Sequence, residues 1–132
     1  IIVESGNMKY DSRNNCNAII ETASNTLIAG CDTTIIPESV TKIERSAFNS
    51  LTSLESVVIP EGVTEIGRCA FWGCKSLTTV MLPVGVEEID ETALDECMQL
   101  TTIYVPVGEI DYYKERLEEE LHDKIVELKN EK

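Results

Sequence analysis

Apolar and polar positions along this chain recur in fixed columns. Its four prolines, Pro37, Pro60, Pro83 and Pro106, stand 23 residues apart each time. Immediately before them come Ile36, Ile59, Leu82 and Val105. Two positions earlier still lie Val57, Val80 and Ile103, with Thr34 as the polar member. After the first three prolines follow Val40, Val63 and Val86, then Ile43, Ile66 and Ile89. Ala47, Ala70 and Ala93 come next, then Phe48, Phe71 and Leu94, while Leu54, Leu77 and Leu100 complete the set. Self-similarity at a step of ~20–50 residues marks a solenoid or array.

Each column predicts a piece of structure. Val57 and Ile59 alternate inward on a short strand, with Ser56 and Val58 facing out. Proline has no N–H to give a ladder, so it ends the strand. Pro60-Glu61-Gly62, Pro83-Val84-Gly85 and Pro106-Val107-Gly108 suit type I turns with Pro second and Gly fourth; Ser39 stands at the glycine position of the first unit. From Val63 to Cys74 the apolar residues fall at irregular steps of three and four. That spacing predicts tight or 3₁₀ turns rather than a long helix.

Leu54, Val57 and Ile59 follow the LxxLxL spacing of a leucine-rich repeat, and "IPEGVTEIGRCAFWGCKSLTTVMLP" resembles the BspA-like, or Treponema-type, leucine-rich repeat. The resemblance covers residues 31–108 most strongly. Leu51 stands where other units have Cys74 and Cys97, Leu94 replaces phenylalanine, and Glu44 and Asp90 replace Gly67. The expected fold is an α/β leucine-rich repeat solenoid with 23-residue repeats, an N-terminal hairpin-bearing unit and a C-terminal helical cap. One domain over 1–132 is expected, divided into a modified unit (1–36), repeats (37–108) and a cap (109–132).

At the N-terminus, Ile1, Val3 and Gly6 take the places of Val57, Ile59 and Gly62, so the chain is expected to start inside a repeat strand with an open edge. The unit from there to Pro37 is ten residues longer than the others. The extra length reads as a hairpin, residues 17–22 and 26–31 around Ala23-Ser24-Asn25. The stretch is similar to a hairpin-bearing unit found in this family. After Pro106, Ile110, Tyr113, Leu117 and Leu121 recur at helical spacing, and residues 124–128 read as a last strand before a charged tail. "YVPVGEIDYYKERL" resembles the family's C-terminal ending, and nine acids and five bases in residues 109–132 suit a solvated cap. The opening Ile1-Ile2-Val3, without an initiator Met, suggests a piece of something longer.

Composition narrows the function. Of 132 residues 42% are apolar and 27% charged, enough for a packed core. The net charge of −13 repels nucleic acid and anionic membrane surfaces. No apolar run approaches the ~20 residues of a membrane span, and no signal peptide opens the chain. The single histidine, His122, lacks a nucleophilic neighbour in sequence, and no phosphate-binding, zinc-protease or serine-hydrolase motif occurs. No enzyme, metal site or cofactor is expected. The five cysteines form no CxxC; Cys74 and Cys97 share an inward column and read as small buried hydrophobes. Cys16 and Cys31 are left open between a disulfide and free thiols. The acidic stretch Glu87, Glu88, Asp90, Glu91, Asp95 and Glu96 reads as a solvated face.

Binding has better candidates. Stacked strands align Ile35, Val58, Met81 and Tyr104 in one outward ladder. Ser56, Thr79 and Thr102, with Thr33, align in another. Trp72, the sole tryptophan, is a further candidate contact. The expected function is that of a non-enzymatic protein-binding or adhesion module, using the concave strand face toward a protein partner. The family resemblance implies a secreted or cell-surface protein, with a host or matrix protein as partner. The rival expectation is a structural spacer that self-associates weakly through its N-terminal edge strand.

Overall fold

A computed structural model describes residues 1–128; the charged tail expected after the last strand lies outside the described residues. Strand β1 (Tyr10–Asp11), β2 (Ile19–Glu21) and β3 (Thr26–Ala29) belong to the N-terminal unit. The repeats follow with β4 (Lys42–Ile43), β5 (Ser56–Val58), β6 (Glu65–Ile66), β7 (Thr79–Met81), β8 (Glu88–Ile89) and β9 (Thr102–Val105). A one-turn helix α1 (Ile110–Lys114), a 3₁₀ segment (Glu119–Lys124) and β10 (Ile125–Glu127) complete the chain.

Two sheets form the layers. One runs β5-β7-β9-β10, all parallel, with Ser56 beside Thr79 beside Thr102. The other runs β1-β2-β3-β4-β6-β8, with β4, β6 and β8 parallel. The Thr64 hydroxyl donates to Thr41 O, Thr78 to Glu55 O and Thr101 to Thr78 O, each across 23 residues. The strand-period alternation holds: Val57, Val80 and Ile103 are buried between more exposed neighbours.

The expected tight turns are present, with i→i+3 bonds such as Ala70 N–H to Gly67 O and Trp72 N–H to Cys69 O. They also contain the two-residue strands β4, β6 and β8, which hydrophobic spacing did not announce. A two-residue strand has no period to read. Gly67 sits where neighbouring coils touch: a Cβ there would lie 2.8 Å from Arg45 N.

The proline turns close one residue later than expected. Val63 N–H donates to Pro60 O and Glu109 N–H to Pro106 O, so proline is first and glycine third. Gly85 and Gly108 have φ of +98° and +87°, the left-handed sign that a type II turn needs at its third position. In the third repeat the turn bond is replaced. Val86 N–H donates to the Tyr113 hydroxyl, which itself donates to Pro83 O. The cap is thereby built into a repeat turn. Tyr112 adds a bond to Val86 O, and Arg116 lies over the Tyr112 ring and donates to Glu87 O. The expected long cap helix is instead α1 plus a 3₁₀ turn, because the chain must double back to place β10 beside β9.

The hairpin of residues 17–31 is present as antiparallel β2 and β3, with β1 added outside. It joins the β4-β6-β8 sheet through β3, not the β5-β7-β9 sheet. The expected strand at Ile1–Val3 does not form; Val3 N–H bonds the Ser12 hydroxyl and Asn7 N–H turns back to Glu4 O. Local polar partners take those amides before a ladder can. Arg13 ties this unit together, bonding Asp11, Asn25 and Ser39. That guanidinium holds the Asp11 carboxyl well below the usual carboxylate range.

The core follows the inward columns. Phe48 and Phe71 stack at 4.9 Å between centroids, nearly coplanar in orientation. Beside them, the Cys74 thiol donates to Phe48 O and the Cys97 thiol to Phe71 O, each at 3.1 Å. The neighbouring Cys74 thiol and burial push the Cys97 thiol far up. All five cysteines are free thiols, Cys16 and Cys31 included.

Three outcomes follow from this packing. Phe71→Ala removes a fully buried ring and half of an aromatic stack, and thermal or urea unfolding should show a loss of about 3–5 kcal/mol. Adding reductant should leave the melting temperature unchanged, because the thiols bond carbonyls or, for Cys69, the Thr92 hydroxyl rather than forming bridges; a clear drop would show a bridge. Burial pushes the Tyr113 phenol up to about 12 from 10.0. A phenol that ionises later in the folded state stabilises in full below pH ~10 and loses that contribution as pH rises through ~12, on the order of 2–3 kcal/mol. Tyr113→Phe should cost about 1–3 kcal/mol at neutral pH by unpairing two backbone groups. It should also make the alkaline decline in stability shallower, as pH-dependent unfolding would measure.

Candidate functional site

The β5-β7-β9-β10 sheet carries the outward residues. Parallel pairing aligns Val58 with Met81, Met81 with Tyr104, and Tyr104 with Val126. Val58 is 59% exposed and Val126 44% exposed, while Met81 and Tyr104 are half-buried. Two residues earlier on each strand, Ser56, Thr79 and Thr102 form the polar row. The structure therefore brings together six of the eight expected contact residues: Val58, Met81, Tyr104, Ser56, Thr79 and Thr102.

Ile35 and Trp72 do not join them. Ile35 is exposed but lies outside any strand, and its N–H donates to Cys16 O in the hairpin unit. Its expected rung is absent, as is that of Thr33, which sits in a turn with its hydroxyl bonded to the Asn17 side chain. The longer first unit spends its hydrogen bonds on the hairpin, so the ladder begins at β5. The rung lost at that end is replaced at the other by Val126 on β10. Trp72 lies in the tight-turn segment, 39% exposed, its N–H and C=O both engaged in backbone bonds.

Beside the apolar row the surface dips into an open groove of ≈ 590 Å³. Val58, Pro60, Met81, Pro83, Val107 and Leu128 supply much of its wall, and Glu38 and Glu61 are its charged members. Sequence columns missed this groove because its wall runs across coils and includes turn residues and the chain segment after β10. One signal was available. The residue after each proline changes from Glu38 and Glu61 to Val84 and Val107, and the two valines are 54% and 66% exposed. Exposed valines at turn tips are costly to leave bare unless something covers them.

Other chemistry is sparse. His122 Nε2 lies 3.0 Å from Leu117 O, which makes that nitrogen the N–H donor. Among the described residues no group of three or more His, Cys, Asp or Glu converges to hold a metal ion. The acidic stretch divides between two clefts, Glu87, Glu88 and Asp90 lining one and Glu91, Asp95 and Glu96 lining the other with Glu118 and Glu120; Asp90 accepts both the Thr92 amide and hydroxyl, which lowers its pKa. No helix among the described residues is long and apolar enough to cross a membrane.

Among solved structures, the chain is similar to a leucine-rich cell surface protein from Faecalibacterium prausnitzii A2-165, at 26% identity and a TM-score of 0.55. The likeness covers 80% of this chain and 36% of that protein's, so this chain spans little more than a third of its length. No curated protein matches the chain. The sequence model of the BspA type leucine-rich repeat region matches residues 22–119, in six copies. Those residues hold every repeat strand from β3 to β9, and the chain belongs to the BspA type leucine-rich repeat family.

Proposed function

We propose that residues 1–132 act as one leucine-rich solenoid module with no catalytic role, belonging to a secreted or cell-surface protein and binding a protein partner through its β5-β7-β9-β10 face. The observation that carries this reading is the row Val58, Met81, Tyr104 and Val126. It is an in-register apolar strip left partly exposed on the face of a sheet. Met and aromatic residues are enriched in interface cores, and the hydroxyl row beside them supplies hydrogen bonds. Apolar surface in line, next to a groove, favours contact over simple strand preference. The similar surface protein from Faecalibacterium supports the location. The hairpin unit 1–36 and the cap 109–132 close the two ends of the repeats at 37–108.

The strip is short, so this fragment should bind weakly, with longer arrays gaining by avidity. A surface of net charge −13 favours a basic or neutral partner and binding that weakens with salt. The test is surface-immobilised binding to a panel of host and matrix proteins by Met81→Asp combined with Tyr104→Asp. Both side chains are half-buried on an open face, so the double variant should fold. It should lose at least about tenfold in affinity, equivalent to ~1.4 kcal/mol. Undiminished binding by a folded double variant would move the site to the tight-turn side around Trp72.

A further inference from the structure

The groove beside the apolar row is polarised along its length. The position after each proline is Glu38 and Glu61 in the earlier coils and Val84 and Val107 in the later ones, and Glu38, Glu61 and Val107 line the groove. Glu38 and Glu61 are exposed, and among the described residues neither makes a salt bridge. At the other end, Val107 is 66% exposed and Leu128 42% exposed, flanking the buried face of Pro83. Among the described residues no lysine or arginine lines the groove. The site therefore offers unneutralised carboxylates at one end and bare apolar surface at the other.

We propose that this groove holds a peptide segment of the partner in one direction, its lysine- or arginine-bearing end against Glu38 and Glu61 and its apolar end against Val107 and Leu128. This rests on the strand-face reading above and adds the partner's chemistry and its orientation. Charge complementarity selects the cation: a basic side chain meets two free carboxylates, and an acidic one meets them inside the field of a strongly acidic chain. Size selects a peptide rather than a folded surface. Four strands ~4.8 Å apart span on the order of 14 Å, which about five extended residues cover. Apolar side chains entering between Met81 and Leu128 remove from water the surface that Val107 and Leu128 leave open.

The experiment measures fluorescence anisotropy of a labelled synthetic peptide with a lysine-rich half joined to a leucine-rich half. A second peptide carries glutamate in place of lysine, and a third carries serine in place of leucine. The first should bind saturably, and the other two at least about tenfold more weakly, a difference of ~1.4 kcal/mol each. Glu38→Lys with Glu61→Lys should cost the first peptide at least that factor. Glu119→Lys with Glu120→Lys, which changes net charge equally but lies in the cap, should cost far less. Equal losses from the two charge reversals, or equal binding of the lysine and glutamate peptides, would overturn the proposal. So would undiminished binding of the serine peptide, which would leave the apolar end without a role. Failure of the strand-face reading itself looks different: a folded Tyr104→Asp protein, changed on the strand row but outside the groove wall, would then bind the host and matrix proteins undiminished, whatever the peptide does.

Discussion

Backbone hydrogen bonds from one coil to the next set every other feature of this protein. Phe48 N–H reaches Ala70 O and Phe71 N–H reaches Ala93 O; Ser50 N–H reaches Trp72 O and Gly73 N–H reaches Asp95 O. Together with the parallel strands, they fix the coils to one spacing and one register on both sides of the core. No coil could bury its apolar face alone, since each is only a short strand, a turn and a tight return. Once register is fixed, like side chains must stack. The Phe48–Phe71 pair and the thiol-to-carbonyl bonds of Cys74 and Cys97 are consequences of that stacking. Gly67 shows how closely the backbones approach, since even a methyl group there would press on the amide of Arg45.

A stack held by nearest neighbours has exposed ends, and the two ends here are treated differently. At the C-terminus β10 lies parallel to β9 and lengthens the β5-β7-β9 sheet, while Tyr113 enters the turn of the third repeat. A buried tyrosine hydroxyl is well suited to this, because it both accepts from Val86 N–H and donates to Pro83 O. At the N-terminus the hairpin lengthens the other sheet through β3 and β4. The first coil consequently contributes Ile36 and Val40 to the core but no strand to the contact face.

Most of the fold was legible because burial repeats with the sequence. Val57, Val80 and Ile103 could be placed inward from spacing alone, and the hairpin and the last strand were visible in alternation and turn residues. What escaped had local causes. Tyr113 read only as a helical apolar residue, since nothing in a 3.6-residue pattern shows that its hydroxyl completes a turn 27 residues earlier. The turn register slipped by one because Pro-X-Gly fits either position, and only the positive φ of Gly85 and Gly108 decides between them. Ile35 was placed by column, yet its amide bonds Cys16 O in the enlarged first unit. Periodicity predicts a rung only where the neighbouring coil has the same length. On the β5-β7-β9-β10 face, the six residues in columns were legible, whereas Val107 stands in the column after proline and Leu128 in no repeat column, so spacing does not bring the two to one groove.

The inward and outward columns differ in how much they vary from coil to coil, and that difference bears on function. Inward positions keep one kind of chemistry: Val57, Val80 and Ile103, or Ile59, Leu82 and Val105. Packing at fixed spacing tolerates little else. The outward row passes from Val58 through Met81 to Tyr104, and the turn tip passes from Glu61 to Val84 and Val107. Neither position is constrained by the core, so its variation costs the fold little and is free to set what the surface meets. A catalytic centre would need unlike groups held at one point, whereas stacked coils naturally supply graded rows. Under the proposed function, such rows would discriminate an elongated ligand by its sequence of charge and bulk, with each coil reading one step of it.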